Sequence, residues 1–447
     1  METPRRKSPF LINRNFTLLW AGQIVSAFGD YLFDTTLTLW IVTKIAYGQS
    51  WAPLAVGAVL LAAAFPVFLI GPIAGVFVDR WDKRQTMLRM DCIRALLIGL
   101  LIPLALLNGV PAILELGIIC VLVFLTSACA QFFNPSVLAL TGDIVEEPQR
   151  ARATGLTQMM YSLALLAGPP LATLLFFAAG LQVAIIFNAL SFMVSFLLVL
   201  LMQAPPAARS VAEGLVSNFW CEFAGGLHFF FGNRVLITIL IAGFLVVLFE
   251  GALNTLGVFF LQQNLHTSLS LYGFLGMAMG AGLTLGALLA GAFAQRLGVT
   301  RVLSIGLTLS GVAAIVYARL TSFPPALVIT FLIGLLTGSV NVAVGPILFH
   351  TTPRELIGRV AAAVTPALAL SSILSIALVS YLDGTLLHNF HASLLGIQFG
   401  PIDSIFLATG VLATLGGGYA MLTLRGVHIA DTEEPGQPEP GPGLIGK

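Results

Sequence analysis

Charge is what this sequence has least of. Aspartate, glutamate, lysine and arginine together make up 9% of its 447 residues, where soluble domains carry about a quarter. So few ionisable side chains leave too little polar surface to clothe a water-soluble body. The net charge of +1 offers no electrostatic footprint for nucleic acid, and none is expected as a partner. Cysteine is scarce too. Cys92, Cys120, Cys129 and Cys221 lie in or beside apolar segments with no CxxC pair, which argues against a disulfide framework or a thiolate metal site. The six histidines fall at loops and segment ends, and none sits in HExxH, so no metal site is expected. His388 and His391 read as a solvated loop pair. The short alternating strands of a membrane β-barrel are missing as well. The late stretch "GPGLIGK" has the letters of a nucleotide-binding loop but no Ser/Thr and no strand before it. ATP is therefore not expected to supply the driving force.

What the sequence does have is long apolar runs, with 57% hydrophobic residues. Segments long enough to cross about 30 Å of hydrocarbon fall at 16–43, 53–78, 87–109, 112–141, 154–179, 181–203, 234–262, 270–294, 301–320, 324–349, 360–387 and 402–424. Twelve spans make an all-α membrane protein. The basic start "METPRRKSPFLINRNF" leads into an apolar run that is too long for a signal peptide and carries two acids, so it reads as a retained first helix. With the N-terminus inside, the inner segments hold nineteen Lys and Arg and the outer ones only Lys44 and Arg319. That asymmetry puts both termini on the cytoplasmic side of a cell membrane.

The chain divides at its longest inner connection. Residues 1–203 form one six-helix bundle and 234–425 a second. The linker 204–233 carries "EGLVSNFWCEFAGGLHFFF", which reads as an interfacial amphipathic helix. The tail 426–447 is rich in Pro, Gly and Glu and is expected to be disordered. The halves repeat one another. Asn13–Arg14 recurs as Asn233–Arg234, and the same offset of 220 carries Asp30 and Asp34 onto Glu250 and Asn254. "GVFVDR" at 75–80 recurs as "GAFAQR" at 291–296. Internal repeats of membrane helices place a site between the repeats.

Asp30 and Asp34 are the sharpest feature. They lie four residues apart, on one helix face, near mid-membrane, and Gln23 shares that face. No Lys or Arg is expected at that depth on any helix, so the acids read as functional groups without an ion partner. Two carboxylates in a poorly hydrated cavity repel one another when both are ionised. Such a pair can take a proton from one side and release it to the other.

Two motifs carry a resemblance. "GPIAGVFVDRWDKRQTML" (71–88) resembles the loop signature between the second and third helices of the major facilitator superfamily, written GxLaDrxGrk. Gly75, Asp79, Arg80 and Lys83 occupy its positions, and Asp82 replaces the second glycine, as in the branch of enterobactin exporters and macrolide efflux pumps. "GLTQMMYSLALLAGPPLAT" (155–173) is similar to the antiporter motif of proton-coupled exporters, with Gly155, Gly168 and Pro169 in place and Ala164 standing for a glycine. The segments at 132–156 and 355–368 also resemble that branch. The resemblance implies two pseudo-symmetric six-helix bundles around a cavity lined by helices 1, 4, 7 and 10. It implies a latch formed by Asp79 with Lys83 or Arg84, joined by Asp143, that closes the inner side in the outward-facing state. On the lining helices lie Gln23, Asp30, Asp34, Gln131, Asn134, Glu250, Asn254 and Asn341. Phe28, Tyr31, Phe33, Phe132, Phe133 and Phe249 near them suit a bulky, partly apolar ligand.

The expected function is secondary active transport: a proton-coupled exporter of a hydrophobic drug, macrolide-like compound or siderophore. It would act as a monomer in the bilayer, with the proton gradient and no cofactor as its energy source. Alternatives are an importer or facilitator of a small metabolite, and a transporter-like receptor that moves nothing. An enzyme is not expected: an intramembrane aspartyl protease needs acids converging from separate helices, and Asp30 and Asp34 share one.

Overall fold

The computed structural model describes residues 12–107, 109–203, 232–353, 357–388, 390, 392–394 and 397–424. The interfacial helix of the linker, the disordered tail and His391 lie outside the described residues. The first half contains α1 (Arg14–Trp40), α2 (Ala52–Leu69), α3 (Gly71–Arg80), α4 (Lys83–Gly99), α5 (Leu101–Leu106), α6 (Ala112–Ile144), α7 (Arg150–Ala179) and α8 (Leu181–Leu200). The second contains α9 (Arg234–Gln263), α10 (Tyr272–Leu297), α11 (Val299–Tyr317), α12 (Phe323–Thr351), α13 (Ile357–Tyr381) and α14 (Pro401–Thr423). Helices α2 and α3 are one span broken at Ile70, next to Pro72, and α4 and α5 are one span broken at Leu100, shortly before Pro103. The count is therefore twelve spans. A short antiparallel hairpin, β1 (Ala392–Leu394) and β2 (Ile397–Phe399), fills the loop before α14, where the sequence predicts no strand.

Among the described residues, ten helices are long and apolar enough to cross a membrane by length and composition. The first span, α1, and the third, α4–α5, fall short of that measure. They are the spans that carry Asp30 and Asp34, and Asp91 and Arg94. Their polarity is resolved by packing, since an ionisable group in hydrocarbon persists only where it faces a partner or water.

The repeat is visible in the packing. In the first half α1 packs on α7 and α8, and α4 on α6 and α8; six spans later α9 packs on α13 and α14, and α11 on α12 and α14. The recurring Asn–Arg pair is one helix-capping device used twice. Asn13 Oδ1 accepts from Phe16 N at 2.8 Å, and Asn233 Oδ1 from Val235 N at 2.9 Å. Each satisfies a backbone donor that a helix start leaves free.

The halves meet toward the end remote from the chain termini. There α7 packs on α10, and α2 on α13. Pro169 and Thr173 press on Gly273, whose amide donates to Thr173 Oγ1 at 3.0 Å; a Cβ at Gly273 would collide with the Pro169 carbonyl. Gly57 is closed over by Ser380 in the same way. At the terminal end, among the described residues, no hydrogen bond or ion pair joins the halves. A Cβ at Gly75, Gly155 or Gly291 would meet open space. Among the described residues the halves therefore touch at the far end and are parted at the end that bears the termini.

Candidate functional site

Helix α1 runs along the boundary between its own bundle and the opposite half. Gly29 lets α8 approach so closely that a Cβ there would strike Ser191 and Asn188. That contact fixes the rotation of α1 and sends the next residue, Asp30, toward α4. Arg94 meets it: Nη2 donates to Asp30 Oδ2 at 3.1 Å and to Oδ1 at 3.3 Å. The guanidinium also lies 4.0 Å from the centre of the Phe192 ring, a cation–π contact that supports the charge in a dry setting.

The expectation that no cation reaches the depth of Asp30 is therefore wrong. Arg94 belongs three turns inside α4 and not to the basic loop, so it also leaves the inner-side tally; the asymmetry survives without it. The signal was in the sequence. Asp91 and Arg94 are three residues apart and well past the helix start at Lys83, so they share a face inside the span.

Asp30 and Asp34 do not share a cavity. Asp30 lines a polar pocket of about 140 Å³ inside the first bundle, with Gln23, Arg94, Asn134 and Tyr161. Asp34, one turn on, lines a larger cavity of about 450 Å³ between the halves. Glu250, Asn254, Tyr272 and Thr330 reach that cavity from the second half, and its other walls are mostly aliphatic. No Lys or Arg lines it. Asp34 and Glu250 thus line one chamber from opposite bundles, whereas the offset of 220 residues pairs Glu250 with Asp30 and Asp34 with Asn254.

The remaining residues fall in several places. Gln131 bonds back to Ser127 O and faces Gly71 of α3, and Asn341 is exposed on α12; neither lines either cavity. Gly168 receives Tyr31 of α1 within the first half, while Pro169 abuts Gly273 and Gly276 of α10 and so lies on the far-end seam between the halves. Gly155, at the other end of that helix, touches nothing.

The latch residues sit at the parted end. Asp79 and Arg80 are exposed, and among the described residues Asp79 has no ion partner. Lys83 Nζ lies 3.9 Å from Asp143 within the first half. Arg84 donates to the carbonyls of Val199, at 3.2 Å, and Leu200, at 2.7 Å, at the end of α8. Asp82 accepts from Gln85 N at 2.7 Å and caps α4, which accounts for an acid where the motif has glycine.

Residues 7–374 match the family model described as transmembrane secretion effector. The chain belongs to that family, within the major facilitator superfamily. It is 24% identical over 416 residues to the uncharacterised MFS-type transporter YkuC of Bacillus subtilis, covering 90% of each chain. It is 24% identical over 283 residues to macrolide efflux protein A of Streptococcus pyogenes, covering 62% of this chain and 66% of that protein. The fold is similar to the crystal structure of the nucleoside transporter NupG, with a TM-score of 0.68 at 13% identity over 92% of this chain and 99% of that one. The chamber of Asp34 and Glu250 lies between the two bundles.

Proposed function

We propose that this transporter is a proton-coupled exporter of hydrophobic compounds that carry a positive charge or hydrogen-bond donors. The observation that carries this reading is the central chamber, where Asp34 and Glu250 face each other across largely aliphatic walls with no cation to neutralise them. Apolar walls favour an amphiphile by burial. The two carboxylates favour a cation or donor, and disfavour an anionic siderophore by desolvation without a counter-charge. The similarity to a macrolide efflux protein supports outward movement of such a compound. The Lys and Arg bias supports cytoplasmic termini, and with that orientation the parted end faces inward and the chamber loads from the cell. A proton arriving from outside at Asp34 or Glu250 would weaken its hold on a cationic or donor group, and release of that proton inside would reset the site.

The test is substrate-induced proton movement in proteoliposomes under an imposed pH gradient, with a panel of macrolides, other drugs and siderophores. Asp34→Asn is expected to uncouple transport from the gradient, and Glu250→Gln to lower it at least tenfold. Full proton-coupled activity in both variants would overturn the reading.

A further inference from the structure

Asp91 takes no part in the chamber described above, yet it is the most deeply buried acid in the structure, with no exposed surface. It sits on α4, one turn before Arg94. Neither of its carboxyl oxygens makes a hydrogen bond of full geometry among the described residues; the hydroxyl of Ser195 on α8 interacts with it but makes no such bond either. Helix α8 carries no charged residue. Helix α6 presents Phe133 and Cys129 to this region, α1 presents Asp30, and α7 contributes Tyr161 across the polar pocket. The one cation within reach, Arg94, gives its terminal nitrogen to Asp30 and keeps its Nε–H buried and unused.

A carboxylate with no exposed surface and no full-geometry hydrogen bond is costly to keep ionised, so we take Asp91 as the neutral acid in this arrangement. It lies three residues before Arg94 on the same helix face, within electrostatic reach of a guanidinium whose Nε–H is unused, and this gives it a second option. We propose that Asp30 and Asp91 share Arg94, and that Asp91 is a second proton-carrying residue of the first bundle. In one arrangement Asp30 is ionised and holds Arg94 while Asp91 is protonated. In the other Asp91 is ionised and holds Arg94 while Asp30 is protonated. The step between them is a proton transfer: the O–H bond of Asp91 breaks, a new O–H bond forms on Asp30, and Arg94 turns from one carboxylate to the other. Net charge is conserved and no other reactant is consumed. Asp30 lines the polar pocket with a side chain 40% exposed, so it is the end of the pair that exchanges with water. The assignment concerns the resting protein and stands or falls whether or not transport proves to be proton-coupled.

Infrared difference spectroscopy on the detergent-purified full chain tests it. The wild type at neutral pH should show a carbonyl stretch of a protonated carboxyl that disappears in Asp91→Asn. The same band should also disappear in Asp30→Asn, because Arg94 then pairs with an ionised Asp91. Removing one acid would thus abolish the protonated signal of another, which a purely structural role for Asp91 would not produce. Should Asp91→Asn fail to fold, spectra of wild type and Asp30→Asn with ¹³C-labelled aspartate decide the question by themselves. An aspartic-acid band that survives Asp30→Asn unchanged, or that is missing from the wild type, overturns the proposal.

Discussion

Arg94 and Asp30 come from helices 64 residues apart in sequence and meet inside the bundle. Removing the cation from such a pair strands a carboxylate and empties the contact with Phe192. Breaking a buried pair costs about 3–5 kcal/mol, and the partial exposure of Asp30 lowers that to about 2–3 kcal/mol for Arg94→Ala. Asp30→Asn is expected to cost clearly less, because Asp91 can take over the guanidinium. Thermal unfolding of the two variants in detergent, compared with wild type, checks the order. Arg94→Lys should fall between wild type and Arg94→Ala, since an ammonium keeps the charge and loses the planar fork. Asp30 and Asp34 differ in the same local way. One turn of helix separates a carboxylate matched by a cation from one that looks into a chamber lined by no Lys or Arg among the described residues.

At the scale of elements, the seam between α7 and α10 is what closes the far end. Gly273 is needed there for close approach. Overpacking a tight contact costs about 1–3 kcal/mol, and each 1.4 kcal/mol shifts a two-state balance about tenfold. Gly273→Ala is therefore expected to raise the population open at the far end by roughly one to two orders of magnitude, with a matching fall in transport. A cysteine placed at Thr38, in the chamber wall, should become more accessible to an impermeant thiol reagent added outside. Gly291→Ala, where a methyl meets open space, is the control and should leave labelling unchanged. A seam variant with wild-type labelling would show that α7 and α10 do not gate the chamber.

At the scale of the whole molecule, two ends compete. At the end of α3, Asp79, which the family resemblance offers as a latch residue, contacts no charge on the second half among the described residues. Asp79→Asn should therefore leave the inward-parted state intact and weaken the alternative state by about 1 kcal/mol. The Thr38→Cys reporter should then label less from outside, opposite in direction to Gly273→Ala, and transport should fall. Equal labelling and equal transport would reduce Asp79 to an anchor at the membrane surface.

Much of this was legible in the sequence because the bilayer writes strong rules. Span length, the repeated Asn–Arg pair at 13 and 233, and the match of Asp34 with Asn254 and Asp30 with Glu250 follow from hydrophobicity and from a duplicated chain. The offset did not say which acids would face each other. Residue by residue it aligns Glu250 with Asp30, yet the structure sets Glu250 across from Asp34, since Asp30 is turned toward α4. That turn depends on the close fit of Gly29 against α8, which fixes the rotation of a helix about its own axis. Composition sees charge and depth but not rotation. For that reason Arg94 reads as a loop cation in the sequence and becomes a buried partner only when α4 packs beside α1. Which end stands open is likewise a matter of tertiary structure, because both states bury the same helices and differ only in which pair of ends touches.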